Sequence, residues 1–201
     1  MIAVDLSDLR VRQQSAPQFP TEISAMTEMP EYIFRTATAA DIPGLAKLGR
    51  ELFIETWAPL YSTEDLNDFL DKVHTPSAVE ADMDSGRDFW IAQYQDEWIG
   101  YCKAGPVGVP VDTAGRRAAE LKQLYIRRTH HGRGVADRLM QFFLEWAEQH
   151  QIQDAYISCW SENFRALAFY RRYGFTECGR YLYQVGKQLD DERILKRSLM
   201  P

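Results

Sequence analysis

The chain has 201 residues, of which 45% are hydrophobic and 26% are charged, and its formal net charge is −6. This length fits one α/β domain that buries a core without disulfides or metal. Its apolar runs all fall short of the roughly 18–20 residues needed to cross a bilayer, and acidic residues stand where an export signal would carry positive charge. Net negative charge argues against nonspecific nucleic-acid binding. We expect a soluble, cytoplasmic protein that binds neither nucleic acid nor a membrane.

The potential metal ligands lack the spacing of a metal site. The cysteines are odd in number and form no paired motif: Cys102, Cys159 and Cys178. The histidines never stand at ligand spacing from one another: His74, His130, His131 and His150. The sequence therefore predicts reduced, mostly structural thiols and no metal.

Charge is distributed unevenly along the chain. Between Glu51 and Glu97, twelve acidic residues face two basic ones, whereas Arg127 to Arg138 holds four arginines and two histidines against one aspartate. A basic island in an acidic protein indicates a polyanionic ligand bound locally. The acidic half suits either a cationic second substrate or ordinary solvated helix faces.

In the first part of the chain, residues 1–30 are polar and punctuated by prolines, which predicts an extension ahead of one domain at 31–201. A strand is predicted at Tyr32–Thr36. A capping box at 38–41 then opens a first helix, and a second begins at Ser62 or Thr63.

The rest of the chain alternates strand and helix patterns. The predicted elements are hairpin strands at 89–94 and 98–103, a strand–helix–strand unit at 120–126, 134–150 and 155–159, a helix at 163–173, and closing strands at 175–185 and 193–199. Together they predict an α/β (α+β) fold with a sheet of mixed direction.

The loop inside the strand–helix–strand unit contains two glycines. Gly132 and Gly134 allow a tight turn and close approach of a ligand, and the helix that follows offers free N–H groups to phosphate oxygens. The alternative is a simple connection. The loop is neither a Walker A sequence nor a GxGxxG fingerprint, which argues against nucleotide hydrolysis and NAD chemistry.

At this loop the sequence resembles the GNAT acetyltransferases. His131-Gly-Arg-Gly134-Val-Ala136 is similar to the family's (Gln/Arg)-x-x-Gly-x-(Gly/Ala) motif, with histidine at the Gln/Arg position. The run from Asn163 to Phe175 resembles the family's Asn-x-x-Ala-x-x-Phe-Tyr-x-x-x-Gly-Phe block. The likeness covers roughly residues 33–199.

The resemblance implies a mostly antiparallel sheet of six to seven strands flanked by about four helices, with a V-shaped splay between two central parallel strands. It also implies an acetyl-CoA-dependent N-acetyltransferase, with the pantetheine arm entering the splay. The residues implied to bind acetyl-CoA are Leu124, Tyr125, Ile126, His131, Gly132, Arg133, Gly134, Val135, Ala136, Asp137, Asn163 and Tyr170.

The resemblance further implies direct attack of the amine on the thioester. It assigns the base to Glu120, with a strand-end salt bridge as the alternative role, and the acid to Tyr170, with a packed aromatic as the alternative. Asn163 is also predicted to cap its helix. A covalent route through a cysteine is the competing mechanism.

Aromatic residues beside an acid between the first two helices suit an alkylammonium acceptor, although helix packing explains them too. They are Phe53, Glu55, Trp57 and Tyr61. The run 53–69 and the stretch Tyr183-Gln-Val-Gly resemble polyamine-type bacterial members, so a small amine or polyamine is the expected acceptor. A protein or peptide acceptor, a CoA-binding regulator without turnover, and a homodimer are alternatives that the sequence leaves open.

Overall fold

A computed structural model describes residues 32–200. The predicted extension at 1–30, and with it the prediction about export, lies outside that range. The described helices are α1 (Ile42–Trp57), α2 (Thr63–Val73), α3 (Pro76–Asp84), α4 (Val135–Gln149) and α5 (Phe164–Arg172). The strands are β1 (Tyr32–Thr36), β2 (Asp88–Tyr94), β3 (Glu97–Gly105), β4 (Ala118–Ile126), β5 (Asp154–Trp160), β6 (Thr176–Val185) and β7 (Gln188–Ser198).

These strands form one seven-stranded sheet in the order β1-β2-β3-β4-β5-β7-β6. Only the β4–β5 pair is parallel, and every other pair is antiparallel. The predicted mixed sheet is confirmed. There is one helix more than expected, α3. It begins at Pro76, and the side chain of its N-cap residue, Thr75, accepts the Ala78 N–H.

The first two helices begin near where the sequence predicts. Before α1, the Asp41 carboxylate accepts the Thr38 N–H at 2.8 Å and a bidentate pair from Arg35, and the Arg35 hydrogen bonds lower the pKa of Asp41 to about 2. Ser62, rather than Thr63, caps α2 by accepting the Asp65 N–H. No helix within residues 32–200 is long and apolar enough to cross a membrane.

The central parallel strands separate halfway along their length. β4 and β5 pair only from Ala118 with Asp154 to Leu121 with Ile157. The β3–β4 register shifts just there and leaves Lys122 without a partner residue on β3, which is a β-bulge. Beyond it β4 continues along β3 and β5 continues along β7. The V-shaped splay is therefore present, and the bulge marks where it begins.

The sheet carries a hydrophobic core on each face. On one face, α4 and α5 pack on β4 and β5 through residues such as Leu139, Phe143 and Tyr170. On the other, α1 and its neighbours pack through Leu52 and Tyr125, among others. The gap between β4 and β5 therefore has one of these two cores on each side of it.

Candidate active site

Two adjoining cavities flank the splay. The larger, of about 470 Å³, lies between β4, the glycine loop and α5. Its lining residues are Leu124, Ile126, His130, His131, Gly132, Gly134, Ala136, Asp137, Arg165, Ala168, Phe169, Tyr170 and Arg172. The smaller, of about 290 Å³, is lined by Glu55, Thr56, Trp57, Pro59, Leu60, Ile126, Arg128, His131, Trp160, Glu162 and Asn163. Ile126 and His131 belong to both, so the cavities meet at the end of β4.

The glycine loop has the geometry of an anion site. Gly132 and Gly134 have φ angles of 72° and 79°, a region that disfavours residues with a Cβ. Gly134 is the N-cap of α4, whose first hydrogen bond runs from the Arg138 N–H to the Gly134 carbonyl. The N–H groups of residues 135–137 are thus not used within the helix, and the helix dipole favours negative charge beside them.

His131 fastens this loop to the strand. Its Nε2 is 3.0 Å from the Ile126 carbonyl oxygen, which can only accept, so Nε2 carries the proton. Its Nδ1 then accepts from Arg165 Nη1 at 3.4 Å. Histidine at the position where the family has Gln or Arg therefore serves as a connector between β4 and α5.

The positive charge around the larger cavity differs from the prediction. Arg127 pairs with Glu51, and the Arg128 backbone N–H and guanidinium bond the Glu55 carboxylate and carbonyl. Part of the basic island is thus neutralised by α1. Two arginines of α5, Arg165 and Arg172, line the cavity instead.

Tyr170 lines this cavity with its side chain fully buried. Its hydroxyl has no hydrogen-bond partner within residues 32–200. Burial raises the pKa of Tyr170 well above its usual value, so the phenol stays protonated at neutral pH. A buried phenol without a partner is an unused proton donor on a residue that lines the cavity.

The other predicted acetyl-CoA residues fall into two groups. Asn163 caps α5 by accepting the Ala166 N–H at 3.1 Å, as predicted, and lines the smaller cavity. Tyr125, Arg133 and Val135 line neither cavity. The side chains of Tyr125 and Val135 are buried in the core, so only their backbone atoms are placed to meet a ligand.

The predicted acceptor residues divide in the same way. Glu55 and Trp57 line the smaller cavity. Phe53 does not, because it is fully buried against Phe69 with a ring separation of 4.6 Å, which corrects its predicted contact with substrate. Tyr61 points elsewhere and donates its hydroxyl hydrogen bond to Asp190.

Glu120 is fully buried and lines neither cavity. Its Oε2 accepts the N–H groups of Gly108 and Val109 at 2.6 and 3.2 Å. Its Oε1 is 3.2 Å from Lys122 Nζ. The salt bridge that the alternative interpretation expects is therefore present, and the carboxylate also fixes the loop before β4.

The three cysteines are poor nucleophiles in this setting. Burial raises the pKa of Cys102 above its usual range. Burial and then the charge of Glu192 raise the pKa of Cys159 to about 12. Cys178 is exposed on β6, and its pKa is also raised. All three are thiols at neutral pH, whereas the thiolate is the reactive form.

A model of the acetyltransferase (GNAT) family matches residues 47–175. The chain belongs to this family of acyltransferases. An uncharacterized N-acetyltransferase of Lactobacillus delbrueckii subsp. lactis is 23% identical over 161 residues, which cover 80% of this chain and 93% of that protein. The matches to two rat N-acetyltransferases cover only 44% and 43% of those proteins, so the chain spans less than half of their length.

Solved structures show the same fold. PaiA N-acetyltransferase from Thermoplasma acidophilum, in complex with coenzyme A, aligns with a TM-score of 0.67 at 16% identity, covering 84% of this chain and 99% of that one. Ribosomal-protein-alanine N-acetyltransferase from Brucella melitensis aligns with a TM-score of 0.63 at 25% identity, covering 83% and 99%.

The sequence did not point to several residues around the splay. Arg165 and Arg172 stand seven residues apart on the helix that Asn163 caps, which is the spacing of one helix face and a signal that was available. Ser158 and Glu192 are 34 residues apart in the chain, and the pairing of β5 with β7 brings them together. Residue spacing carries no signal for that contact.

Proposed function

We propose that the protein transfers an acetyl group from acetyl-CoA directly to a primary amine, most favourably a small alkylamine or polyamine. The observation that carries the proposal is the orphaned hydroxyl of Tyr170, a residue that lines the same cavity as the glycine loop. The glycine loop suits phosphate, and Tyr170 supplies a proton donor.

The residues present fit acetyl-CoA. The N–H groups of residues 135–137, with Arg165 and Arg172, would hold the phosphates. Within residues 32–200, the β5-facing edge of β4 from Lys122 to Ile126 has no strand partner, and it would pair with the amides of the pantetheine arm. When bound, acetyl-CoA supplies a thioester whose carbonyl carbon an amine can attack.

Tyr170 would supply the proton that the leaving sulfur requires. Its phenol is protonated at neutral pH and has no competing acceptor in residues 32–200. A positioned acid of this kind contributes about 10²- to 10⁴-fold to a rate. A β4 backbone N–H would stabilise the carbonyl oxygen as it gains charge.

Direct transfer is supported by the state of the cysteines. Cys102 and Cys159 are buried thiols with raised pKa values, and neither lines a cavity. Glu120 stays a predicted base. Its contacts with Gly108, Val109 and Lys122 supply a structural role that a variant has to separate from catalysis.

The test is release of CoA thiol from acetyl-CoA in the presence of separate amine classes: polyamines, amino acids, aminoglycosides and lysine peptides. Turnover with one class supports the proposal and names the acceptor. Binding of acetyl-CoA without release from any class would favour a CoA-binding regulator. Release only with peptides would favour the protein acceptor that the sequence leaves open.

A further inference from the structure

A group of polar side chains lies on the α1 face of the sheet, across the splay from Tyr170. We call it the Glu192 cluster. Its members are Glu192 and Asp190 of β7, Ser158 of β5, Tyr181 and Tyr183 of β6, and Tyr61 after α1. None of them lines either of the two cavities described above.

Strand pairing places these side chains on one face. Glu192 is paired with Trp160 on β5 and with Tyr181 on β6, and directly paired residues share a face. Trp160 packs edge-on against Trp57 of α1, which fixes that face as the α1 side. Ser158 is the first residue of β5 beyond its last pair with β4, so the cluster lies where the splay begins.

The Glu192 carboxylate is only half satisfied. Its Oε2 accepts the Ser158 hydroxyl at 2.6 Å, and Ser158 Oγ is also 3.0 Å from the Tyr181 hydroxyl. Its Oε1 is buried and has no hydrogen-bond partner within the described residues, and the whole side chain is 1% exposed. A buried carboxylate oxygen without a donor is costly, so the arrangement calls for a donor that a ligand brings.

The surroundings favour a cation. Burial, and then the charges of three carboxylates that lie near its ring, raise the pKa of Tyr183 to about 12; they are Glu192, Glu120 and Asp190. Within residues 32–200, the cation whose charge reaches Glu192 is Lys122, which is paired with Glu120. Asp190 accepts from the Tyr61 hydroxyl and from Gln188 Nε2 at 2.7 Å. The tyrosine rings of the cluster add to this preference, because ring faces attract ammonium groups.

We propose that the Glu192 carboxylate binds the ammonium group of the acceptor, with Oε1 accepting one of its N–H bonds. This inference rests on the proposed acetyltransferase function and narrows it. The acceptor class is a primary alkylamine with no carboxylate beside the amine, because a second anion would face Asp190 and Glu120.

The Ser158–Glu192 pair explains why the acceptor would arrive next to the thioester. The hydroxyl that holds Glu192 comes from the point where β5 leaves β4. An amine bound at Oε1 therefore lies beside the gap, while Tyr170 approaches the same gap from the opposite face.

The deciding experiment measures KM for hexylamine with the full chain, Glu192→Gln, and Asp191→Asn as the matched control. Asp191 is the next residue on β7, on the opposite face, and pairs with Arg193. Glu192→Gln is expected to raise KM by about 10- to 100-fold, the loss expected for a charge-assisted hydrogen bond. Asp191→Asn is expected to change it less than twofold. An unchanged KM in Glu192→Gln would overturn the inference.

Two further measurements keep the outcome decisive. Calorimetric titration of hexylamine into the wild type and into Glu192→Gln tests the contact without turnover. If the wild type binds hexylamine but releases no thiol, the proposed function fails while the inference about Glu192 stands. If Glu192→Gln does not fold, hexan-1-ol is compared with hexylamine in binding to the wild type. Equal affinity of the alcohol would contradict recognition of a cation.

Discussion

Tyr170 and Glu192 lie on opposite faces of the sheet at the gap where β4 and β5 separate. The Tyr170 ring packs in the core between the sheet and α5, and its hydroxyl has no partner within residues 32–200. Glu192 Oε1 is equally without a partner on the α1 face. Buried polar atoms usually have partners, so these two atoms, together with Glu120 Oε1, which also lacks a hydrogen-bond partner within the described residues, are candidate contacts for ligands.

Substituting Gly134 tests the phosphate cradle. Gly134→Ala places a Cβ on a residue with φ of 79°, which costs roughly 1–2 kcal/mol. The variant should therefore bind CoA more weakly, as measured by calorimetry. Gly115→Ala is the matched control, because Gly115 has φ of 73° and equally open surroundings but lies in the loop before β4. Equal CoA affinity in the two variants would contradict the cradle.

Removing the Tyr170 hydroxyl tests the acid. Tyr170→Phe should lower kcat by about 10²- to 10⁴-fold while CoA affinity and melting temperature hold, since the hydroxyl makes no hydrogen bond among the described residues. Tyr101→Phe, which loses a hydrogen bond to Gln123 and whose side chain lines neither cavity, serves as the control. A Tyr170→Phe variant with wild-type kcat would rule out the acid role.

A substitution at Glu120 separates its two roles. Glu120→Gln keeps an oxygen for the two backbone N–H groups but loses the charge that strengthens those hydrogen bonds and pairs with Lys122. It should therefore lower the free energy of unfolding by roughly 1–3 kcal/mol. Urea denaturation measures that loss, and kcat is measured on the folded fraction. Loss of kcat with unchanged stability would instead assign Glu120 the base.

The pH dependence of stability tests the state of Glu192. Burial raises the pKa of Glu192 above its ordinary value of 4.5 in the folded protein. Ionisation therefore opposes folding, and the wild type should lose stability relative to Glu192→Gln as pH rises from 4.5 through the folded pKa. Denaturation of both proteins at pH 4 and pH 8 measures this gap. If the wild type instead gained stability relative to Glu192→Gln between pH 4 and pH 8, the raised pKa of Glu192 would be contradicted.

Local signals were sufficient for most of the fold. The helix starts could be predicted from the two motifs and from three capping residues, Thr38, Ser62 and Asn163. The strands could be predicted from the alternation of apolar and polar residues. Helix α3 was missed because only two residues, His74 and Thr75, separate it from α2, so the two helices looked like one segment.

The sequence pointed to the parts of the candidate site whose residues are contiguous in the chain and did not point to the parts whose residues are far apart. The glycine loop and Tyr170 stand within motifs. The half-satisfied state of Glu192 depends on three strands meeting, and the burial of Phe53 depends on α2 packing over α1. Such facts are properties of tertiary packing, which residue spacing does not encode.

The most direct test of the central claim is mass spectrometry of hexylamine incubated with acetyl-CoA and the 201-residue chain, alongside release of CoA thiol. The structure predicts N-acetylhexylamine in equal amount to the thiol, and its near absence with Tyr170→Phe. Thiol release without acetylated amine, or bound acetyl-CoA that is never consumed with any amine class, would contradict an acetyltransferase acting on amines.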